Sequence, residues 1–453
     1  MKSAVLATFL LNACLFLSCD SPQRQPPVDA DADAEGPDTD TANDSDVIDV
    51  PDFDVPDGWP PRENCEPTPE NGLAIGGLAH FFSVPFTRQG VTLSLGESEN
   101  LLYDSGRICD AYNGINVWRG EITSYDLVNK NEKFIVLYPA SQNWPFEYNG
   151  RVFFNTYYTE YQPGVTGNPW EGSPKIMVVE NGVLQPYSTW CQPGYGCLEK
   201  GVSKAGKMYF IEYEPSARPL LVRMMVHDVN TQDTRLIDDQ HEAPIQVAIG
   251  DRAVFWNYGP CGTFQYYDIA RDVIVENPAY NVGAAIAWGK YIAWDNCVPS
   301  GSYVLDVDTG IVRILDEELN LNPDNEMMNL HTGYENLVAL VDRGRDVPEP
   351  GTATHLWLYD LDTRVERRIT SEAARWYWGL FPIINCEWAI ITLAYGKNGT
   401  NIEHYLRAAL NLQQAGILDE NCHIIPGPPI EFTLEEFITA SGFTLAGYDP
   451  IDN

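Results

Sequence analysis

Residues 304 to 315 read V-L-D-V-D-T-G-I-V-R-I-L: an apolar run reaches Asp306, the chain turns through a polar tetrad ending at Gly310, and a β-branched run follows. Such a pattern specifies strand, tight turn, strand. It returns six more times in degraded form, best at residues 356 to 370 (L-W-L-Y-D-L-D-T-R-V-E-R-R-I-T) and more weakly at 124 to 135, 177 to 187, 225 to 237, 266 to 276 and 406 to 418. With Asp126, Glu180, Asp228, Asp268, Asp306, Asp360 and Asn411 as equivalent points, the steps are 54, 48, 40, 38, 54 and 51 residues. That is the length of one four-stranded propeller blade. The expected fold is therefore all-β, a seven-bladed β-propeller over residues 65 to 425.

A second recurrent strand precedes each turn, opening at Arg151, Lys207, Arg252, Lys290, Asn336 and Glu387. Short apolar runs before it, such as 244 to 249 and 283 to 288, suit innermost strands around a channel. Gly289-Lys290-Tyr291-Ile292-Ala293-Trp294 and Tyr359-Asp360-Leu361-Asp362-Thr363 resemble the blade motifs of the TolB and WD40-like propeller class, although the Pro-Asp-Gly turn typical of TolB repeats is absent. The resemblance implies the fold. A β-sandwich with many hairpins is the competing reading, and periodicity over about 300 residues argues against it.

The N-terminus points to export. Lys2 and an apolar run from Ala4 to Leu17 form a signal peptide over residues 1 to 18, too short to span a bilayer. Phe16-Leu17-Ser18-Cys19 resembles the lipobox of bacterial lipoproteins, with Phe16 in place of the usual leucine, which implies cleavage before Cys19 and its acylation. Cys14 is a competing position, with polar Asn12 close to the cut. Residues 19 to 64 are expected to form a disordered, self-repelling tether: between Asp20 and Gly58 lie twelve Asp and Glu35 against a single basic residue, Arg24. Asp29, Asp31 and Asp33 have calcium-loop spacing, but Ala34 stands where that loop needs glycine and the terminal Glu is missing. The composition resembles lipoprotein tethers of predatory and social soil proteobacteria.

Beyond Cys14 and Cys19 there are eight cysteines, an even number suited to an oxidising compartment. Cys191 and Cys197 share one loop, while Cys261 and Cys297 follow the second strands of adjacent blades. Cys65, Cys109, Cys386 and Cys422 flank the first and last blades. A bond among these four that joins the two ends would staple the ring, and two of their three pairings do so. No cysteine pair has zinc-site spacing, so no metal is expected.

Chemistry-bearing motifs are sparse. The chain has no G-x-S-x-G, H-E-x-x-H, P-loop or dinucleotide fingerprint. Of its seven histidines, His331 falls on a channel-lining strand, His227 and His355 on outer or third strands, and His241 and His423 on connections. No cofactor is expected. Tyr157, Trp256, Asn257, Tyr258, Trp294, Asp295 and Asn296 end the second strands and make a candidate rim of aromatic, amide and carboxylate groups, suited to a sugar ring or a peptide. A formal net charge of -36 disfavours nucleic acid and bare anionic membrane as partners.

The tail, 426 to 453, carries Thr433-Leu434-Glu435-Glu436, a capping box opening a short helix. Either this tail or residues 73 to 95 could supply the strand that closes the ring. The expected protein is a monomer in the bacterial cell envelope, lipid-anchored through Cys19 to a membrane and binding an envelope protein or glycan. The alternative is a carbohydrate-active lyase or hydrolase with its site at the channel mouth. Asp20 would retain an enteric lipoprotein at the inner membrane, and other lineages need not follow that rule, so the choice of membrane is open.

Overall fold

The computed structural model describes residues 71–88, 93–95, 100–104, 107–112, 115–119, 121–137, 142–156, 175–187, 196–202, 206–214, 221–240, 246–257, 261–298, 300–321, 327–343, 354–371, 383–397 and 401–442. The expected signal peptide, Cys19, the tether, Cys65, Tyr157, Cys191, His241 and Tyr258 lie outside them, as do the side chains of Cys109 and Cys197.

The repeated aspartate is what shapes the turns. Asp126, Asp228, Asp268, Asp306 and Asp360 each end a strand, and the Oδ1 of each accepts the backbone N–H groups two and three residues on, at 2.8–3.2 Å. A short carboxylate side chain can fold back on its own turn in this way. The fourth residue after each aspartate returns its N–H to the aspartate carbonyl and has positive φ: Lys130 (55°), Gln232 (64°), Asp272 (59°), Gly310 (71°) and Arg364 (60°). Asn411 does similar work through Gln414 N–H at 2.9 Å. Glu180 instead precedes a two-residue Asn181-Gly182 turn, with φ of 52° and 76°.

Four of these aspartates also tie their turn to the start of the second strand. Lys207 reaches Asp228, Lys290 Nζ reaches Asp306 Oδ2 at 3.0 Å, Arg252 lies 3.8 Å from Asp268, and Asn336 Nδ2 donates to Asp360 Oδ1 at 2.8 Å. In the last unit the roles reverse, Asn411 Nδ2 donating to Glu387 Oε1 at 2.9 Å.

The pairing is antiparallel throughout the named strands and gives a β-propeller arrangement. Four sheets have four strands each: Leu93–Leu95 with Asn100–Asp104, Glu121–Asp126 and Asn131–Leu137; Gln142–Tyr148 to Val183–Pro186; Gly196–Val202 to Thr234–Gln240; and Met327–Tyr334 to Glu366–Arg368. A fifth has five strands, and a sixth runs through seven strands from Gln246–Ile249 to Ile311–Ile314. Five discrete blade-sized sheets thus stand where seven were expected. The difference lies in Val273–Trp288, which pairs with Gly262–Asp268 through its first part and with Tyr291–Cys297 through its second, fusing what the repeat separates. An added hairpin, Arg107–Tyr112 with Ile115–Arg119, interrupts the first sheet.

The ring closes on a shared sheet. Leu78–Arg88 pairs with Asn401–Asn411, Phe81 opposite Leu410 and Phe82 opposite Ala409. Of the two candidate closing segments, the N-terminal one is therefore the strand. Innermost strands touch in turn from Leu93–Leu95 through Gln142–Tyr148, Gly196–Val202, Gln246–Ile249, Val273–Trp288, Met327–Tyr334 and Ile383–Ile384, which returns to Leu93–Leu95. The tail packs outside this seam. Its helix, Leu434–Ala440, has the capping box between Thr433 and Glu436, and Phe432 and Phe437 lie 4.9 and 6.1 Å from Phe81 between ring centroids.

The disulfides correct the stapled-ring expectation. Cys386 bonds Cys422, so neither can reach Cys65 or Cys109. With a strand shared across the seam, hydrogen bonds and apolar packing close the ring instead. Cys261 bonds Cys297 within the seven-stranded sheet.

Between sheets the core is aromatic and tight. A Cβ built on Gly333 would fall 2.1 Å from the Trp288 ring, so glycine there is what lets the indole lie flat on the strand. The indole N–H donates to the Glu335 carbonyl at 3.1 Å.

Candidate functional site

The candidate rim is largely core. Ala253–Asn257 is buried at all five positions, because both faces of a second strand meet a neighbouring sheet. Trp256 packs with Tyr209, Met224 and Tyr267, and Trp294 with Phe255, Phe264 and Tyr303; both are 0% exposed. Asn257 is buried, its Nδ2 3.5 Å from the Val282 carbonyl, and Asn296 Oδ1 accepts Asn281 N–H at 2.8 Å. These four side chains therefore do not present a free rim.

Asp295 differs from them. It is largely buried but not wholly covered, on the face of its strand opposite Trp294 and Asn296. Ser302, directly across on the next strand, donates its Oγ–H to Asp295 Oδ1 at 2.9 Å. The Ser302 N–H points to Asp316 Oδ2 at 3.3 Å, and Asp316 belongs to the short helix Leu315–Glu318. Burial raises the Asp295 carboxyl, the Ser302 hydrogen bond opposes this, and the Asp316 charge adds to the rise, leaving it at about 7. Burial also raises Asp316. One Ser302 residue thus bridges two carboxyls that hold protons more readily than free aspartate.

Aromatic rings lie on the other side of that strand. Tyr280, half-buried, lies 5.2 Å from Trp294 and 5.3 Å from Tyr303, and Trp294 stacks on Tyr303 at 5.5 Å and 13°. Tyr280, Ser302 and Asp316 were not legible as site residues: Tyr280 and Asp316 sit on parts of the chain that do not repeat, and Ser302, on the repeating strand Ser300–Asp306, has no counterpart motif that marks it. The acidic run Asp316-Glu317-Glu318 between two units was the available signal.

A second feature is the channel. Three adjacent innermost strands border a largely open space of about 240 Å³ lined by Val247–Ile249, Ala285–Ala287 and His331–Gly333. His331 is indeed on an innermost strand, at an irregularity where the pairing shifts between Leu330 and Thr332.

Three other described histidines, His227, His355 and His423, serve packing or turns. His227 Nε2 lies 3.0 Å from Tyr187 Oη and its Nδ1 2.8 Å from Thr234 Oγ1, and burial pushes the imidazole down to about 4. His355 Nδ1 meets Thr370 Oγ1 at 3.1 Å. His423 Nδ1 meets Asp360 Oδ2 at 3.0 Å, the Asp360 hydrogen bond raising its pKa. Among the described residues no three His, Cys, Asp or Glu side chains are placed to share a metal ion.

No protein-family model and no curated protein matches the chain. Solved structures do. An oligogalacturonate lyase in complex with manganese is 13% identical, covering 79% of this chain and 98% of its own, with a TM-score of 0.45. The β-propeller domain of the Trilobed protease from Pyrococcus furiosus, described as having an open velcro topology, is 9% identical over 71% of this chain and 95% of its own, at 0.47. TolB from Acinetobacter baumannii is 11% identical over 68% and 79%, at 0.34. At these identities and scores the likenesses carry no argument about activity.

Proposed function

We propose that this chain is a seven-bladed propeller, anchored through lipidated Cys19 to a membrane of the bacterial cell envelope, that binds an envelope protein or glycan. Reading the seven-stranded sheet as two blades that share Val273–Trp288 gives the seventh unit, and the seven innermost strands in mutual contact support that count. The observation that carries binding over catalysis is the use made of the titratable groups. His227, His355 and His423 are tied into packing and turns, and Asp126, Asp228, Asp268, Asp306 and Asp360 into the blade turns. Half-buried Tyr280, backed by the covered rings of Trp294 and Tyr303, leaves one partly accessible aromatic ring that suits a sugar ring or peptide. Excess acid favours a neutral or cationic ligand.

The second reading, a carbohydrate-active lyase or hydrolase at the channel mouth, draws on His331 in the channel wall.

Anchoring is tested at Cys19. The wild-type chain should carry lipid by intact-mass analysis and sediment with membranes, because more than one buried acyl chain gives stable attachment. Cys19→Ser should remain unacylated and move to the soluble fraction. A wild-type mass without lipid removes the anchor from the account.

A further inference from the structure

Helix Leu315–Glu318 fills the wedge between two neighbouring sheets. Leu315 and Leu319 are buried with Val338, Leu340, Trp357 and Tyr359 of the following sheet. One side of the helix is held by full charges: Arg313 Nε donates to Glu318 Oε1 at 2.8 Å, its Nη1 to the Leu361 carbonyl at 2.7 Å, and Tyr359 Oη–H to Glu318 Oε2 at 2.6 Å. The other side is held by Asp316, through Ser302 and Asp295.

We propose that Asp295, Ser302 and Asp316 form a proton-operated latch on this wedge, closed while the two carboxyls hold a proton between them and loosened when both ionise. The geometry requires two acids to share one small donor. The hydroxyl of Ser302 serves Asp295 and its N–H serves Asp316, and a Cβ on the neighbouring Gly301 would lie 3.2 Å from Asp316 Oδ2, so that carboxyl sits hard against the strand. Two like charges in so confined a place disfavour full ionisation of both.

Among the described residues, no neighbouring group relieves that repulsion. On the strands beside the pair stand Tyr280, Ser302 and Tyr303, and on the helix Glu317, with Glu318 committed to Arg313. The strand Met327–Tyr334, packed against Tyr291–Cys297 and Ser300–Asp306, carries His331 and Tyr334 as its titratable residues, and His331 lines the channel space. The charge that acts on Asp295 is that of Asp316.

The sign follows from the raised Asp295 carboxyl. A carboxyl that binds its proton more tightly folded than unfolded contributes stability in full below about pH 4, loses it as pH rises, and contributes nothing further above its folded value. Since that value is about 7, the latch is closed in mild acid and open above neutrality.

Hydrogen exchange by mass spectrometry on the full chain tests this at about pH 5 and pH 8, with rates corrected for intrinsic chemistry. Peptides covering residues 300 to 321 should lose at least about tenfold of their protection at the higher pH, one decade per unit of pKa being the natural scale. Peptides covering residues 388 to 411, in a distant sheet, should not change. Asp295→Asn and Asp316→Asn should each flatten the response. Ser302→Ala, which keeps both acids and removes the hydroxyl bond that lowers Asp295, should move the transition to higher pH, a shift that lost packing alone would not give. Equal wild-type protection at the two pH values overturns the latch, and so does a response that survives in both Asn variants or does not move in Ser302→Ala.

Discussion

Asp360→Ala is expected to destabilise the protein by about 3–5 kcal/mol, because it leaves several buried donors without an acceptor at about 1–3 kcal/mol each. The side chain is fully buried and gathers five donors: Asn336 Nδ2 at 2.8 Å, the N–H groups of Asp362 and Thr363 at 2.9 and 3.1 Å, His423 Nδ1 at 3.0 Å and Ile424 N–H at 3.4 Å. Alanine leaves those donors without their acceptor and removes one of the contacts, beside the Cys386–Cys422 bond and Arg367, that hold the segment 416 to 428 on this sheet. Burial alone would raise this carboxyl, but the bonds from Asn336, Thr363 and His423 outweigh it and hold the group at about 2. Its contribution is thus present above about pH 4 and lost as pH falls toward 2. His423 is shifted the opposite way, so its share is complete below about pH 6.5 and fades as pH rises through the folded value. Denaturant titration of wild type and variant across pH should show the largest difference between about pH 4 and 6.5. A loss below 1 kcal/mol would contradict the role given to Asp360.

Removing the Cys386–Cys422 bond is the second large effect. It closes a 36-residue separation, for which chain-entropy reasoning gives about 3–4 kcal/mol. The position decides which part responds. Cys422 lies in the segment leading from strand Asn401–Asn411 into the tail, which Arg367 grips through the carbonyls of Gly416 (2.6 Å), Ile425 (2.8 Å) and Pro428 (2.9 Å), and which continues to Phe432 and helix Leu434–Ala440 on the closing strand. Cys386→Ala with Cys422→Ala should therefore expose the tail and then the seam to protease before other sheets, with no bond between distant ends having been lost. First cleavage elsewhere would show that the tail does not protect the closure.

The repeat was legible because it carries chemistry that only a few residues supply. An aspartate that caps its own turn recurs with little variation, and the basic or amide partner opening the second strand recurs with it. Glycine at the end of the turn did not recur. Gly310 fits its positive φ without cost, whereas Lys130, Gln232, Asp272 and Arg364 adopt the same conformation with side chains present, which is why most copies look degraded. The fused sheet was hidden because Asn277-Pro278 and Gly283 read as a break between units, whereas the structure takes Asn277-Pro278 up as an irregularity within the one strand Val273–Trp288. The rim failed for a reason of geometry: Trp256, Asn257, Trp294 and Asn296 sit near strand ends in sequence, yet a propeller sheet is covered on both faces up to those ends. Asp295 was picked out by its neighbours in sequence, and its partners Ser302 and Asp316 arrive from a paired strand and a connection that only the fold brings together.

The most direct test of the central claim uses the full-length, detergent-solubilised protein with solubilised envelope material, and follows by mass spectrometry what is retained and what is released. A binding propeller retains an envelope protein or glycan in saturable, stoichiometric amount and gives it back with its mass unchanged. Release of a shortened or unsaturated glycan in many-fold excess over protein would contradict the account and assign the channel mouth to catalysis.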